Sequence, residues 1–78
     1  MHYVYILRDS VGQLYVGYSD NLKKRLQYHL RGDVKTTQKY QGAKLIWYCA
    51  FANKKKALYF ERYLKAGSGH AFARKHLV

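Results

Sequence analysis

Residues 3–8, reading YVYILR, alternate in side-chain character and are rich in β-branched and aromatic types, the pattern of a strand. Residues 13–19, QLYVGYS, predict a second strand, and the stretch DSVGQ between them supplies turn residues. Gly12 helps set the register. A three-residue loop, Ser10-Val11-Gly12, puts glycine at the left-handed position of a type I turn with a G1 bulge. Asp9 then faces Gln13, Leu7 faces Tyr15 and Tyr5 faces Gly17. Because side chains alternate along a strand, one face carries Tyr3, Tyr5, Leu7, Tyr15, Gly17 and Ser19. The other carries Val4, Ile6, Leu14, Val16 and Tyr18. The second face is aliphatic and suits a core, whereas the first is rich in hydroxyls and leaves room for the Tyr5 ring over Gly17. A slip of one residue would divide Tyr5 and Tyr15 between the faces.

The stretch SDNLKKRLQYHLRG follows, with Ser19 or Asp20 as the expected helix cap and Gly32 as its stop. At about 100° per residue, Leu22, Leu26, His29 and Leu30 form an inward stripe, while Lys24, Gln27 and Arg31 face solvent. Arg25 lies at the border of that stripe, where it either snorkels or reaches along the sheet. DVKTTQKYQG has no clear period and predicts a surface loop. AKLIWYCAFA is a nearly continuous apolar run whose length predicts a central strand covered on both faces. Asn53 is the expected cap of a second helix, KKKALYFERYLKAG. SGHAFARKHLV predicts a glycine turn into a short basic helix with Phe72, Ala73 and Leu77 facing inward. No internal repeat, low-complexity tract or linker is apparent.

The length of 78 residues predicts one domain, residues 1–78, and the order of strands and helices read above makes it α+β. At this size a domain buries only about 60% of the surface its unfolded chain exposes, so its core is thin. Hydrophobic residues make up 49% and proline is absent, which predicts a folded domain rather than a disordered basic tail. The single cysteine, Cys49, excludes a disulfide framework and a cysteine metal site, and reads as a small core residue. No apolar run approaches the length of a membrane span or a leader, so a cytoplasmic protein without membrane attachment is expected. Charge alters the picture more. Fifteen Lys and Arg against four acids give a net +11. Self-repulsion of that size opposes folding, and nucleic acid is the favoured polyanionic partner. Lys54, Lys55 and Lys56 crowd the first turn of the second helix, a poor place for cations unless phosphates approach it. Lys54 and Lys55, with Lys23 and Lys24 on the first helix, are the candidate backbone contacts. Oligomeric state is left open.

The only glutamate, Glu61, shares a helical face with Ala57, Phe60 and Leu64, while Lys55 and Arg62 point away. A carboxylate turned toward a core is costly unless paired or bound to metal. The plain alternative is an edge position paired with Lys65 one turn on. Phosphodiester cleavage needs an activated water, charge stabilisation at phosphorus and help for the leaving oxygen. One carboxylate suffices to hold a hard divalent ion that keeps most of its waters, and an arginine fork suits phosphate oxygens. A tyrosine hydroxyl can hold or deprotonate water, but with a reference pKa near 10 it needs a cation or relay. His29 is either that relay or a structural helix residue.

Tyr3-Val4-Tyr5, then Tyr15-Val16-Gly17, Arg25, His29 and Glu61, in this order, resemble the GIY-YIG nuclease domain. The resemblance covers essentially the whole chain, and LYVGYSDNLKKRLQYH and FERYLKAGSGHAFARKHL look most like its short bacterial branch. It implies a small three-stranded antiparallel sheet flanked by three helices, and a metal-dependent endonuclease acting on DNA, structured or repair-related. Mg²⁺ or Mn²⁺ is the implied cofactor, with RNA left open as a partner. By motif position, Tyr5 and Tyr15 are the two triplet tyrosines, Arg25 contacts the scissile phosphate and Glu61 holds the metal. His29 falls where many members carry histidine or tyrosine, so the general base is either Tyr5 or His29. Gly17 allows close backbone approach, and Thr37 matches a loop threonine that contacts phosphate or is structural. The sequence departs from the pattern in carrying Tyr3 for the first glycine, valine for both isoleucines, and no asparagine after Asn53. A nucleic-acid-binding module with the same fold and no turnover is the alternative. A basic accessory piece of an RNA–protein assembly explains the charge but not Glu61.

Overall fold

The computed structural model describes the backbone of residues 1–31 and 43–78 and the side chains of 1–27 and 43–78. The predicted loop over 33–42, with Thr37, lies outside the described residues, as do the side chains of His29, Leu30 and Arg31. The described elements are β1 (His2–Arg8), β2 (Leu14–Ser19), α1 (Leu22–Arg31), β3 (Lys44–Phe51), α2 (Lys54–Lys65) and α3 (Gly67–Phe72), followed by a π-helical turn, Ala73–Leu77. The strands form one antiparallel sheet in the order β2-β1-β3. This is the α+β architecture expected from the sequence.

The hairpin register is the expected one: Tyr5 pairs with Gly17 and Leu7 with Tyr15. Gly12 has φ +87°, a left-handed conformation that a residue with a Cβ resists by roughly 1–2 kcal/mol. The turn closes through Gly12 N–H to the Asp9 carbonyl at 3.1 Å and Asp9 N–H to the Gln13 carbonyl at 3.0 Å.

The expectation of β3 as the central strand is corrected. β1 is central, and Val4, Tyr5, Ile6 and Leu7 are buried in succession, which requires cover on both faces. β3 lies at the edge among the described strands, with Tyr48 54% exposed. Its uninterrupted apolar run has a local cause. The β1–β3 register shifts at Ile6/Leu7, opposite Ile46, and Ile46 and Trp47 both pack against the core. An irregularity of this kind lets neighbouring residues share a face, so an unbroken run need not mean burial on both sides.

Val4, Ile6 and Leu14 join Ala57 and Leu64 of α2 and Ala73 in one buried cluster, so α2 covers the aliphatic face. Asn53 caps α2 as expected, its side chain accepting from Lys56 N–H at 3.1 Å. Gly69 is buried where α3 meets the end of α2, and a methyl there would run into the Tyr63 carbonyl. Phe72 corrects the inward reading of the last helix. It is 39% exposed and makes tilted ring contacts with Tyr63 and His76, while Ala73 and Leu77 do face the core. At about 100° per residue Phe72 stands about 100° from Ala73 and about 140° from Leu77, so ordinary helical pitch already turns it from the core side.

α1 lies against the opposite, hydroxyl-rich face, where Leu22 and Leu26 line a groove with Tyr3 and Tyr48. Neither Ser19 nor Asp20 caps it. Asn21 does, accepting from Lys24 N–H at 3.1 Å. Ser19 instead locks the entry to the helix, its hydroxyl accepting from Asn21 N–H at 3.0 Å and donating to the Asn21 carbonyl at 2.9 Å.

Candidate active site

Tyr5 stands on the central strand directly across from Gly17 on β2. The far end of its ring, Cζ and the hydroxyl, occupies the space where a Gly17 side chain would begin. The absent side chain thus lets a phenol rooted in the middle of the sheet carry its hydroxyl over an edge strand. Tyr5 is only 5% exposed, so its orientation is fixed by packing on both sides.

Tyr15 lies on the same face, two positions before Gly17. Its hydroxyl donates to Asp9 Oδ2 at 3.0 Å. Asp9 is itself held by the turn, its Oδ1 accepting from Gln13 N–H at 2.8 Å and Val11 N–H at 3.0 Å. Loss of water around the carboxylate works to raise its pKa. Hydrogen bonds from Gln13, Tyr15, Val11 and Gly12 outweigh that and hold it below its usual 3.8. The sequence reading missed Asp9, although its own register placed Asp9 on the Tyr15 face.

Arg25 is exposed on α1 and borders a shallow hollow of about 250 Å³ with Ser19, Asp20, Asn21 and Lys24. Ser19 ends β2 on the same face as Gly17, so Arg25 and Lys24 stand at the end of the strand that carries Tyr15 and Gly17. Lys23, Lys54 and Lys55 are likewise exposed. Lys54 and Lys55 open α2, whose first turn contains no acid.

Glu61 belongs to the other layer. It is half-buried on α2, with its side chain 18% exposed, and its Oε2 lies 3.7 Å from Lys65 Nζ. The helical pairing considered from sequence is therefore present. It is longer than the 2.7–2.9 Å of a tight charge-assisted bond, and Lys65 is 55% exposed, so it is a weak hold. The structure brings Tyr5, Tyr15 and Gly17 together on one face and sets Arg25 at the end of β2. Glu61 lies on the helix that covers the opposite face and packs against β1 and β2. His29 belongs to α1.

Among the described residues, no three His, Cys, Asp or Glu side chains gather as a cage for a metal ion. Glu61 suits a sparser arrangement. One half-buried carboxylate, loosely paired, offers hard oxygen to a divalent cation that retains water and takes its other ligands from phosphate. Cys49, by contrast, has its thiol pKa pushed up by burial, against a hydrogen bond involving the Val4 backbone that lowers it. It is a poor nucleophile.

A small antiparallel sheet with two motif tyrosines on one face and helices on both sides defines a nuclease-type domain. The family model described as the GIY-YIG catalytic domain matches residues 1–74, and the chain belongs to that family. Proteins similar to it include UPF0213 proteins. The chain is 39% identical over 66 residues to one from Clostridium perfringens, covering 83% of this chain and 71% of that protein. It is 40% identical over 65 residues to one from Oceanobacillus iheyensis, covering 82% and 76%. The solution NMR structure of a UPF0213 protein from Bacillus halodurans superimposes with a TM-score of 0.60 at 28% identity, covering 95% of this chain and 82% of that one. No helix among the described residues is long and apolar enough to cross a membrane.

Proposed function

We propose that this protein is a metal-dependent endonuclease that hydrolyses phosphodiester bonds in DNA, with its reaction centre at the outer edge of β2. The observation that carries this reading is Tyr5 laid across Gly17 beside Tyr15. That arrangement delivers two phenols from adjacent strands to one side of an edge strand. Arg25 binds the scissile phosphate through its planar fork. Tyr15 and Tyr5 hold the attacking water, and His29 passes on its proton. Glu61, half-buried on the helix of the other layer, is the carboxylate assigned to the metal. A divalent cation held by Glu61 would supply charge stabilisation at the phosphate. Lys23, Lys24, Lys54 and Lys55 bind the flanking backbone, the use that a net +11 anticipates. Binding without turnover is the second reading, favoured by the depth at which Tyr5 is buried.

The test is cleavage of a panel of duplex, flapped, branched and single-stranded DNAs with Mg²⁺ or Mn²⁺, comparing wild type with Glu61→Ala. Nicking by the wild type that Glu61→Ala abolishes, with folding and DNA affinity kept, supports the endonuclease. Equal nicking by both proteins refutes the role of Glu61. Metal-independent binding with no cleavage leaves the binding module.

A further inference from the structure

We propose that Asp9 is a positioning residue for Tyr15, committing the hydroxyl hydrogen to the hairpin turn so that the phenol oxygen acts toward the reaction centre as an acceptor. The inference rests on the endonuclease reading and deepens it. Two oxygens of one carboxylate do different things here. Oδ1 accepts the Val11 and Gln13 amides, the work of an aspartate in a turn, which an asparagine oxygen would do as well. Oδ2 takes no part in that and accepts from Tyr15 at 3.0 Å. The carboxylate is anchored by backbone amides, and the backbone is anchored by Gly12 at φ +87° and the closing bonds of the hairpin. It is therefore a fixed acceptor rather than a flexible side chain that happens to reach Tyr15.

The consequence follows from the donor inventory of a phenol. Tyr15 has one hydroxyl hydrogen. With that hydrogen given to Oδ2, the Tyr15 oxygen acts toward any other partner only as an acceptor. An uncommitted hydroxyl would rotate and offer its hydrogen instead. Among the described residues, Arg8 and Lys44 line the same hollow as Asp9 with Ser10 and Ile46, and no second acid is among them. Asp9→Asn is the informative change. Its oxygen can keep the two amide bonds, but its NH₂ replaces the acceptor facing Tyr15 with a donor and inverts the polarity of the contact.

The experiment compares single-turnover nicking by wild type, Asp9→Asn, Tyr15→Phe and the double variant, with Glu61→Ala as the control. In parallel, the ¹³C shift of the Tyr15 Cζ is followed through an acid titration. Asp9→Asn is expected to lower kcat by about 10- to 100-fold, the scale of a misplaced reacting group, with KM little changed. The double variant should be no slower than Tyr15→Phe. In the wild type, the Tyr15 resonance should move as Asp9 protonates below its usual range, and in Asp9→Asn it should not. Asp9→Asn nicking at the wild-type rate, or a Tyr15 resonance indifferent to that titration, overturns the role of Asp9. Wild type that does not nick at all overturns the endonuclease reading and this role with it. Loss of nicking in Glu61→Ala beside an unaffected Asp9→Asn overturns the role alone. The titration needs only the wild-type fold, so it decides the hydrogen bond even if a variant is unstable.

Discussion

Gly17→Ala adds one methyl to β2 and tests how Tyr5 is placed. The new Cβ would overlap Tyr5 Cζ and its hydroxyl and come within 2.9 Å of Cε2. Carbon contacts settle at about 3.5–4.0 Å, so the far end of the ring must retreat by at least about 1 Å. Tyr5 is 5% exposed, so that retreat pushes into packed neighbours. Overpacking of this kind costs about 1–3 kcal/mol, offset in part by roughly 0.5–1 kcal/mol from replacing a strand glycine. The net loss of stability is thus between about zero and about 2.5 kcal/mol. A reacting group displaced by about 1 Å loses on the order of 100-fold in rate. The assay pairs single-turnover nicking with urea denaturation. Nicking should fall about 100-fold while the unfolding midpoint moves modestly, and Tyr5→Phe/Gly17→Ala should be no slower than Tyr5→Phe. Wild-type nicking by Gly17→Ala would refute the claim that the bare glycine places the Tyr5 hydroxyl.

Three further predictions concern the scaffold and the substrate surface. Asn53→Ala removes the cap of α2 and should cost about 1 kcal/mol in denaturant unfolding, with DNA affinity retained. Asp9 has a depressed pKa in the folded state, so its contribution is complete above the unfolded value and lost as pH falls through the folded one. Amide exchange in the hairpin should therefore accelerate below about pH 4 in the wild type, with no such step in Asp9→Asn. DNA affinity should fall roughly 1,000-fold between 50 and 200 mM salt if six phosphates are engaged, and Lys54→Ala/Lys55→Ala should reduce the magnitude of the log–log salt slope by nearly two.

Much of the site-bearing hairpin was legible because one glycine constrained it. Gly12 fixed the turn, the turn fixed the register, and the register put Tyr5, Tyr15 and Gly17 on a single face. The same register held the information for the Asp9–Tyr15 contact, since both side chains emerge on that face, but pairing alone does not show which oxygen an aspartate in a turn leaves over. Strand order was not legible from hydrophobic length. β3 carries the longer apolar run yet lies at the edge among the described strands, and its register shift lets Ile46 and Trp47 share the core side without burial on both faces. Phe72 was misplaced because its apolar character was weighed above its phase: about 100° per residue already sets it apart from Ala73 and Leu77. Glu61 was read as bordering the core, and its 18% exposure agrees. Which face of the sheet its helix would cover depended on packing that no local pattern encodes.

The central claim is that Arg25, from the helix on one face of the sheet, and Glu61, from the helix on the other, act on one phosphate at the edge of β2. A double-mutant cycle in single-turnover nicking tests it, using Arg25→Ala, Glu61→Ala and both together. Groups that serve one transition state are strongly non-additive, so each single change should cost at least about 100-fold and the pair little more than either. Losses that multiply in the double variant, or an Arg25→Ala enzyme that nicks normally, would contradict the account.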